Sequence, residues 1–217
     1  SKFMVVDGEK SFITSENFRD DAIPYYGTKG NRGWSVLIES VEVAEYFEGV
    51  FSYDFTPSSP DTFPFTENDP VYGGPPDGFN PSSSPKSGKH EKVFHEQKFT
   101  GNIYVTPILC PDHTGDLKAI LPLIESAKDY IWVEQHSVGV IWDDSNNKID
   151  NQYLDALHQA ARRGVEVRVI LDSKFEFDNK HEEIVNNLNE LAKTERLNMV
   201  AKLSSNKRIE VEKVHNK

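Results

Sequence analysis

The second half of this chain alternates between strand-like and helix-like apolar patterns, and this alternation limits the fold more than any other feature. Apolar runs at 131–135 and 165–171 have the length and composition of buried strands. Apolar residues recur at helical spacing at 153–161 and 184–191, and Gly164 marks the end of the first of these helices. Strands and helices in this order predict an α/β lobe in which a sheet and helices form layers.

The segments around this alternation extend the same pattern. The run 103–109 predicts a further strand. A helix is predicted at 117–124, with a kink or break at Pro122 because proline removes a backbone donor. Two more strand-like runs follow at 197–203 and 209–214. The α/β prediction therefore covers most of the region from 103 to the last residue.

The first 54 residues predict a smaller folded unit. An apolar run from Phe3 to Val6, a turn at Gly8 and a second apolar pair, Phe12-Ile13, indicate a β-hairpin. A strand at 36–38 and a short helix at 41–51 are predicted after it.

The two predicted units are separated by a segment rich in proline, serine and glycine. Eight of the twelve prolines of the chain lie between residues 55 and 88, which is too dense for a helix or a central strand. This segment is interpreted as a flexible connector, with a lid over a cleft as the alternative. The predicted divisions are 1–54, 55–102 and 103–217.

Composition excludes several classes of protein. The net charge of −11 argues against broad nonspecific nucleic-acid binding, although a local basic cleft is compatible with it. No apolar run approaches the roughly 20 residues that a membrane-spanning helix needs, and the single Cys110 excludes an internal disulfide framework. The compartment is unknown, with a lean towards a secreted or cell-surface location from the long Pro/Ser/Gly-rich segment.

The predicted hairpin and the residues after it carry polar residues at the spacing of a known motif. Lys2 is followed after four residues by Asp7, and Ser15 and Asn17 come at the end of the second apolar pair. This spacing resembles the motif His-x-Lys-(x)4-Asp-(x)6-Gly-Ser-x-Asn of the phospholipase D superfamily. Thr14 stands where that pattern usually has glycine, so the backbone there is less permissive.

The end of the chain resembles the start of a second copy of this motif. His215 and Lys217 have the His-x-Lys spacing and follow a strand-like run, whereas the His-x-Lys at His90 lies in proline-rich sequence and lacks the aspartate. The run 131–135, Ile-Trp-Val-Glu-Gln, is also similar to a run near the start of the family's second lobe. The resemblance implies a fragment of a two-lobed protein, with the histidine of the first motif expected before Ser1 and the aspartate of the second expected beyond Lys217.

The resemblance implies phosphoryl transfer through histidine. A neutral imidazole is a competent nucleophile near pH 7, and a second imidazole can supply and remove the proton of the leaving group. The expected upstream histidine would form a phosphohistidine, and His215 would be the acid that later activates water. No metal ion or other cofactor is expected.

The resemblance also assigns roles to the other motif residues. Lys2, Lys217 and Asn17 would hold the phosphate and stabilise its developing charge. Ser15 would lie near them, and Asp7 would support the site by orientation and charge balance.

Two side chains outside the motifs remain open to two interpretations. Glu134 and His136, next to Trp132, either border the cleft or form a satisfied polar pair at the end of a strand.

The function that the resemblance implies is a phosphodiesterase of phospholipase D type, which hydrolyses or transphosphatidylates a phosphodiester. Alternatives are a cardiolipin synthase-type phosphatidyl transferase, a nuclease of the same superfamily, and an inactive binding module. The expected partners are a phospholipid or another phosphodiester, with peripheral membrane contact and with nucleic acid less favoured. The fragment alone is expected to show negligible turnover.

Overall fold

The structure is a computed structural model of the whole chain. It describes residues 2–19, 22, 28–56, 78, 86–87, 95–110, 119–144, 147–173, 180–206, 211 and 214. Within these residues the strands are β1 Phe3–Val6, β2 Lys10–Thr14, β3 Thr28–Lys29, β4 Ser35–Glu39, β5 Lys86–Ser87, β6 Tyr130–Gln135, β7 Ile141–Asp144, β8 Asn147–Asp150, β9 Glu166–Leu171 and β10 Met199–Leu203. The helices there are α1 Val41–Phe55, α2 Ile120–Glu125, α3 Gln152–Arg162 and α4 Lys180–Glu195.

Residues 2–56, called here the hairpin region, form an antiparallel sheet with one helix against it. The strand order is β1-β2-β4, and Phe3 pairs with Ile13 in the predicted hairpin. Asp7 and Gly8 form the turn, both with positive φ, at 54° and 64°. Aspartate and glycine are among the residues that tolerate this conformation, so the turn explains the sequence at this point.

Helix α1 begins after the N-cap Ser40, whose side chain accepts a hydrogen bond from the backbone N–H of Val43. Its Ala44 and Phe47 are buried, and the ring of Phe47 lies 4.9 Å from that of Phe3 in β1. Phe51, on the following turn, is half exposed. The helix therefore contacts the sheet mainly through its first half.

Residues 119–206, called here the parallel-sheet region, contain a three-stranded sheet in the order β10-β9-β6. β9 pairs in parallel with both neighbours. Helix α3 precedes β9 and ends before Gly164, which has a φ of 96°. Helix α4 connects β9 to β10, so the predicted rhythm of strand, helix and strand is present.

The main hydrophobic core lies between this sheet and its helices. It consists of Leu157, Ala160, Ala161, Val165, Val167, Val169, Leu171, Ile184, Val185, Leu188, Ala192, Met199 and Ala201. The inward positions of β9, at Val167, Val169 and Leu171, alternate with more exposed ones, as the period of a strand requires. The α/β fold class predicted from the sequence is confirmed.

Three local predictions need correction. The strand predicted at 103–109 is wrong, because these residues form no strand and Ile103 and Tyr104 are exposed. The strand at 131–135 exists as β6, but Trp132 in it is 68% exposed. Pro122 does not kink a long helix; it lies in the first turn of α2, where a missing N–H costs no helical hydrogen bond.

Several predicted features lie outside the described residues. These are most of the proline-rich segment, Leu117, and most of the strand predicted at 209–214. Within the proline-rich segment the structure describes the short strand β5, which pairs with β3.

Candidate active site

The carboxyl ends of β6, β9 and β10 lie at one edge of the parallel sheet, where ligand sites of α/β proteins are usually found. His136 follows β6, Asp172 follows β9, and Asn206 lies three residues after β10. All three side chains are buried, at 8%, 1% and 5% exposure. The edge is therefore a polar cluster enclosed by protein rather than a set of solvated surface groups.

Val214 joins this edge to the hairpin region. Its backbone N–H donates to Oδ2 of Asp172 at 2.6 Å, and its backbone forms a parallel bridge with Arg32. Val214 is only 1% exposed. A single residue thus contacts both the parallel sheet and the segment that precedes β4.

Lys2 and Ser15 lie together at the open end of the hairpin. The Nζ of Lys2 donates to the carbonyl oxygen of Ser15 at 2.8 Å, and the N–H of Thr14 donates to the carbonyl oxygen of Lys2 at 3.0 Å. The half-buried ammonium of Lys2 is therefore fixed next to Ser15 by both side-chain and backbone contacts.

Ser15 attaches the segment before β4 to this end of the hairpin. Its Oγ accepts from the N–H of Trp34 at 3.0 Å and lies 3.2 Å from the Trp34 carbonyl oxygen, to which it donates. The N–H of Ser15 donates to the same carbonyl oxygen at 3.0 Å. With 3% exposure, Ser15 is a buried structural contact as well as a motif residue.

The segment approaches Ser15 closely because residue 33 is glycine. A Cβ atom at Gly33 would lie 2.5 Å from Oγ of Ser15 and would overlap the carboxylate of Glu16. Glu16 is 6% exposed, and its Oε2 lies 3.5 Å from Nδ2 of Asn31, which donates to it. Arg32, the partner of Val214, is thus positioned by tightly packed neighbours on both sides.

The predicted site residues fall into three groups: those at the open end of the hairpin, the one in its turn, and the two at the end of the chain. Lys2 and Ser15 are in direct contact, and Asn17 follows two residues later with its side chain exposed. Asp7 lies in the exposed turn at the opposite end of β1, roughly 16 Å along the strand from Lys2 at about 3.3 Å per residue.

His215 and Lys217 lie outside the described residues. Any approach of Lys2 to Lys217, or of Asn17 to His215, therefore lies outside them too. The described residue adjacent to His215 in sequence is Val214, whose contacts with Asp172 and Arg32 are given above.

The sequence interpretation missed Asp172, Glu16 and Arg32. A usable signal existed for Asp172, since an acidic residue directly after a predicted parallel strand lies at the functional edge of the sheet. Glu16 occupies the variable position between Ser15 and Asn17, and Arg32 belongs to no motif. Their contacts join residues far apart in sequence, which no local pattern reveals.

The two polar side chains near Trp132, Glu134 and His136, lie in the structure at the carboxyl end of β6. His136 is buried at the end of β6 and Glu134 is half-buried within that strand. Glu134 therefore lies within, and His136 directly after, the strand that flanks β9 on the side away from β10.

Neither a metal-ligand cluster nor a membrane-spanning helix is found among the residues that the structure describes. Among them, no three or more histidine, cysteine, aspartate or glutamate side chains are grouped as metal ligands. None of the helices in that part of the chain has the length and hydropathy needed to span a membrane.

Residues 120–217 match the family model described as "Cardiolipin synthase, PLD-like domain". A search of curated proteins finds no match to the chain. The matched segment contains the parallel sheet, Asp172 and Val214, and it ends with the residues predicted to begin the second motif. A PLD-like domain indicates chemistry of the phosphodiesterase or phosphatidyl transferase kind. The match of residues 120–217 to this PLD-like domain supports membership of the phospholipase D superfamily.

Proposed function

We propose that the protein containing this chain is a phospholipase D-type phosphodiesterase that works through a covalent phosphohistidine. The observation that carries the proposal is the bridge between Arg32 and Val214. Arg32 belongs to the segment that Ser15 attaches to Lys2, and Val214 directly precedes His215. This bridge supports a single site built from both motifs.

The proposed reaction has two displacements. In the first, the histidine expected before Ser1 attacks phosphorus with a neutral ring nitrogen, the bond to the leaving alcohol breaks, and His215 protonates the departing oxygen. In the second, His215 removes a proton from water or an alcohol whose oxygen attacks phosphorus. The phosphorus–nitrogen bond then breaks and the first histidine is regenerated.

Cationic and amide groups would hold the phosphate during both steps. Lys2, Lys217 and Asn17 are the proposed ligands, because ammonium and amide donors stabilise the charge that develops on non-bridging oxygens. Ser15 would act by fixing the end of the hairpin. Asp7 would act from the hairpin turn, where its positive φ suits an aspartate and where it keeps β1 and β2 in register.

The proposed substrate is a phospholipid, from which the headgroup is released. The description of the matched family favours a second candidate, a phosphatidyl transferase of the cardiolipin synthase type. The net charge of −11 disfavours a nonspecific nuclease. In this proposal, residues 1–54 and 103–217 are parts of two lobes, and 55–102 connects them.

The test compares wild-type protein with His215→Ala in the full-length protein. We expect hydrolysis of bis(p-nitrophenyl) phosphate to fall by about 10²–10⁴-fold, the usual contribution of a general acid and base. His95→Ala is the matched control, because His95 is exposed and lies outside every strand and helix. Its activity should equal that of the wild type.

Two further measurements separate the alternatives. Phosphatidylcholine vesicles with and without added glycerol distinguish hydrolysis from transfer by the ratio of phosphatidic acid to phosphatidylglycerol. Activity is expected to survive EDTA, and strong inhibition by it would contradict the proposed mechanism. A full-length wild-type protein that is folded but inactive on phosphodiesters would instead support an inactive binding module.

A further inference from the structure

Asp172 is a buried acidic residue to which none of the steps above gives a role. It follows β9, the central strand of the parallel sheet, and its side chain is 1% exposed. Its backbone N–H donates to the carbonyl oxygen of Gln135 in β6, so its position continues the sheet by one residue. A buried carboxylate is costly unless it is hydrogen-bonded, so its partners indicate what it stabilises.

One oxygen of this carboxylate accepts two hydrogen bonds. The backbone N–H of Val214 donates to Oδ2 at 2.6 Å, and Nδ2 of Asn206 donates to the same atom at 2.9 Å. Bonds of this kind, with a charged acceptor, are roughly twice as strong as neutral ones. The shorter of the two goes to the residue that directly precedes His215.

The backbone of Asp172 is held as firmly as its side chain. Its carbonyl oxygen lies 2.8 Å from Nδ1 of His181, and the N–H of Val138 lies 3.3 Å from Nε2 of the same ring. A carbonyl accepts and an N–H donates, so both bonds form together when His181 is neutral with its proton on Nδ1. Asp172 is therefore anchored to α4 and to the segment after β6.

We propose that Asp172 is a positioning residue for His215, and this inference rests on the function proposed above. Its carboxylate holds the backbone N–H of Val214 from the parallel sheet, while Arg32 pairs with the same residue from the hairpin region. Adjacent Cα atoms are about 3.8 Å apart, so a displaced Val214 displaces the next residue with it. Through this contact Asp172 anchors the backbone of the residue that directly precedes His215 in sequence.

The experiment measures kcat and KM of the full-length protein with bis(p-nitrophenyl) phosphate, per folded molecule as determined by circular dichroism. Asp172→Ala should lower kcat by about 10–100-fold with little change in KM, since misplacement by about 1 Å can cost that much. Asp172→Asn retains an oxygen acceptor without the charge, so its kcat should fall only a few-fold. Asp155→Ala is the control, an exposed aspartate in α3 whose carboxylate accepts from Gln159, and it should behave as the wild type.

Amide hydrogen exchange at Val214 provides the second measurement, and it remains informative if Asp172→Ala does not fold. Exchange at this amide should be faster in Asp172→Asn than in the wild type, together with the lower kcat. Faster exchange with an unchanged kcat per folded molecule in either variant would overturn the inference. Failure of the proposed function is a separate result, because it requires His215→Ala to retain wild-type activity or the wild type to have none.

Discussion

The hairpin region and the parallel-sheet region bury different kinds of side chain. In the parallel-sheet region thirteen hydrophobic residues form one continuous cluster around β9. In the hairpin region the buried side chains of β2 and the residues that follow it are polar, namely Ser11, Thr14, Ser15 and Glu16. Apolar side chains of the same sheet, such as Val36 and Leu37, are 40% and 58% exposed. One region is stabilised mainly by apolar burial, whereas the other relies on directed polar contacts near the candidate site.

This difference leads to different sensitivities. Apolar burial is non-directional and sums over many contacts, so a cluster tolerates small rearrangements but loses much stability when a cavity forms. Hydrogen bonds between buried groups depend on distance and angle, so an added atom or a lost partner is felt locally. The predictions below test this contrast, from the largest expected effect to the smallest.

The largest effect is expected for Leu171→Ala in β9. Leu171 is fully buried in the core cluster, and removal of its side chain should lower the free energy of unfolding by about 2–5 kcal/mol. The matched change Leu37→Ala, at an exposed position of β4, should alter it by less than about 0.5 kcal/mol. Urea denaturation of both variants provides the comparison. Equal effects would contradict the assignment of the core to the parallel-sheet region.

An intermediate effect is expected for Gly33→Ala. The added methyl group overlaps Ser15 and Glu16, and overpacking of this kind costs about 1–3 kcal/mol. Because the segment carries Arg32 next to Val214, activity should fall as well. Thermal denaturation and the phosphodiester assay measure the two consequences.

Gly49→Ala is the control for this glycine. Nothing lies within 4 Å of a Cβ at Gly49 in the exposed part of α1, so alanine there should stabilise the protein by about 0.5–1 kcal/mol. Destabilisation by both changes to a similar extent would argue against a specific close approach at Gly33.

The smallest effect is expected at the surface ion pair between α3 and α4. Arg162 donates from Nε and Nη2 to the carboxylate of Glu195, at 2.6 Å and 2.7 Å, and this contact holds the pKa of Glu195 below its ordinary value. A depressed carboxyl pKa stabilises the folded state at pH values above the unfolded pKa, and this stabilisation is lost as the pH falls through the folded pKa. Glu195→Gln should therefore lower Tm slightly at neutral pH. In acid, its Tm should equal that of the wild type.

Glu190→Gln serves as the matched change on α4, since Glu190 is exposed. Tm measured from neutral to acidic pH should show no convergence of this kind for it. A Tm of the wild type that stays above that of Glu195→Gln at acidic pH would contradict this pH linkage. The expected difference at neutral pH is small because exposed ion pairs are screened by solvent.

Local patterns predicted the fold well where neighbours in sequence decide the structure. The hairpin followed from two apolar runs around Asp7 and Gly8, and both residues take the positive φ that a tight turn needs. Helices α3 and α4 followed from apolar residues at helical spacing. The strand predicted at 103–109 is wrong: among the described residues this run pairs with no strand, and Tyr104 in it is fully exposed.

The candidate site was only partly predictable, because its contacts join distant parts of the chain. The spacing of Lys2 and Ser15 indicated two motif residues, and the structure brings them into contact. It did not indicate that Ser15 binds Trp34, nor that Asp172 binds the N–H of Val214, 42 residues later. A pairing of this kind depends on which surfaces the packed core brings together.

The sequence by itself determined the hairpin and its turn, the helices α3 and α4 with the strands of the parallel sheet, and the resemblance to the superfamily that the match of residues 120–217 supports. These features depend on local backbone preferences and on the periodicity of apolar residues, and both can be read from the sequence itself. The tertiary structure alone decided that Val214 lies between Arg32 and Asp172. That position results from the burial of polar groups, because a carboxylate and an N–H removed from water are stable only when they find each other.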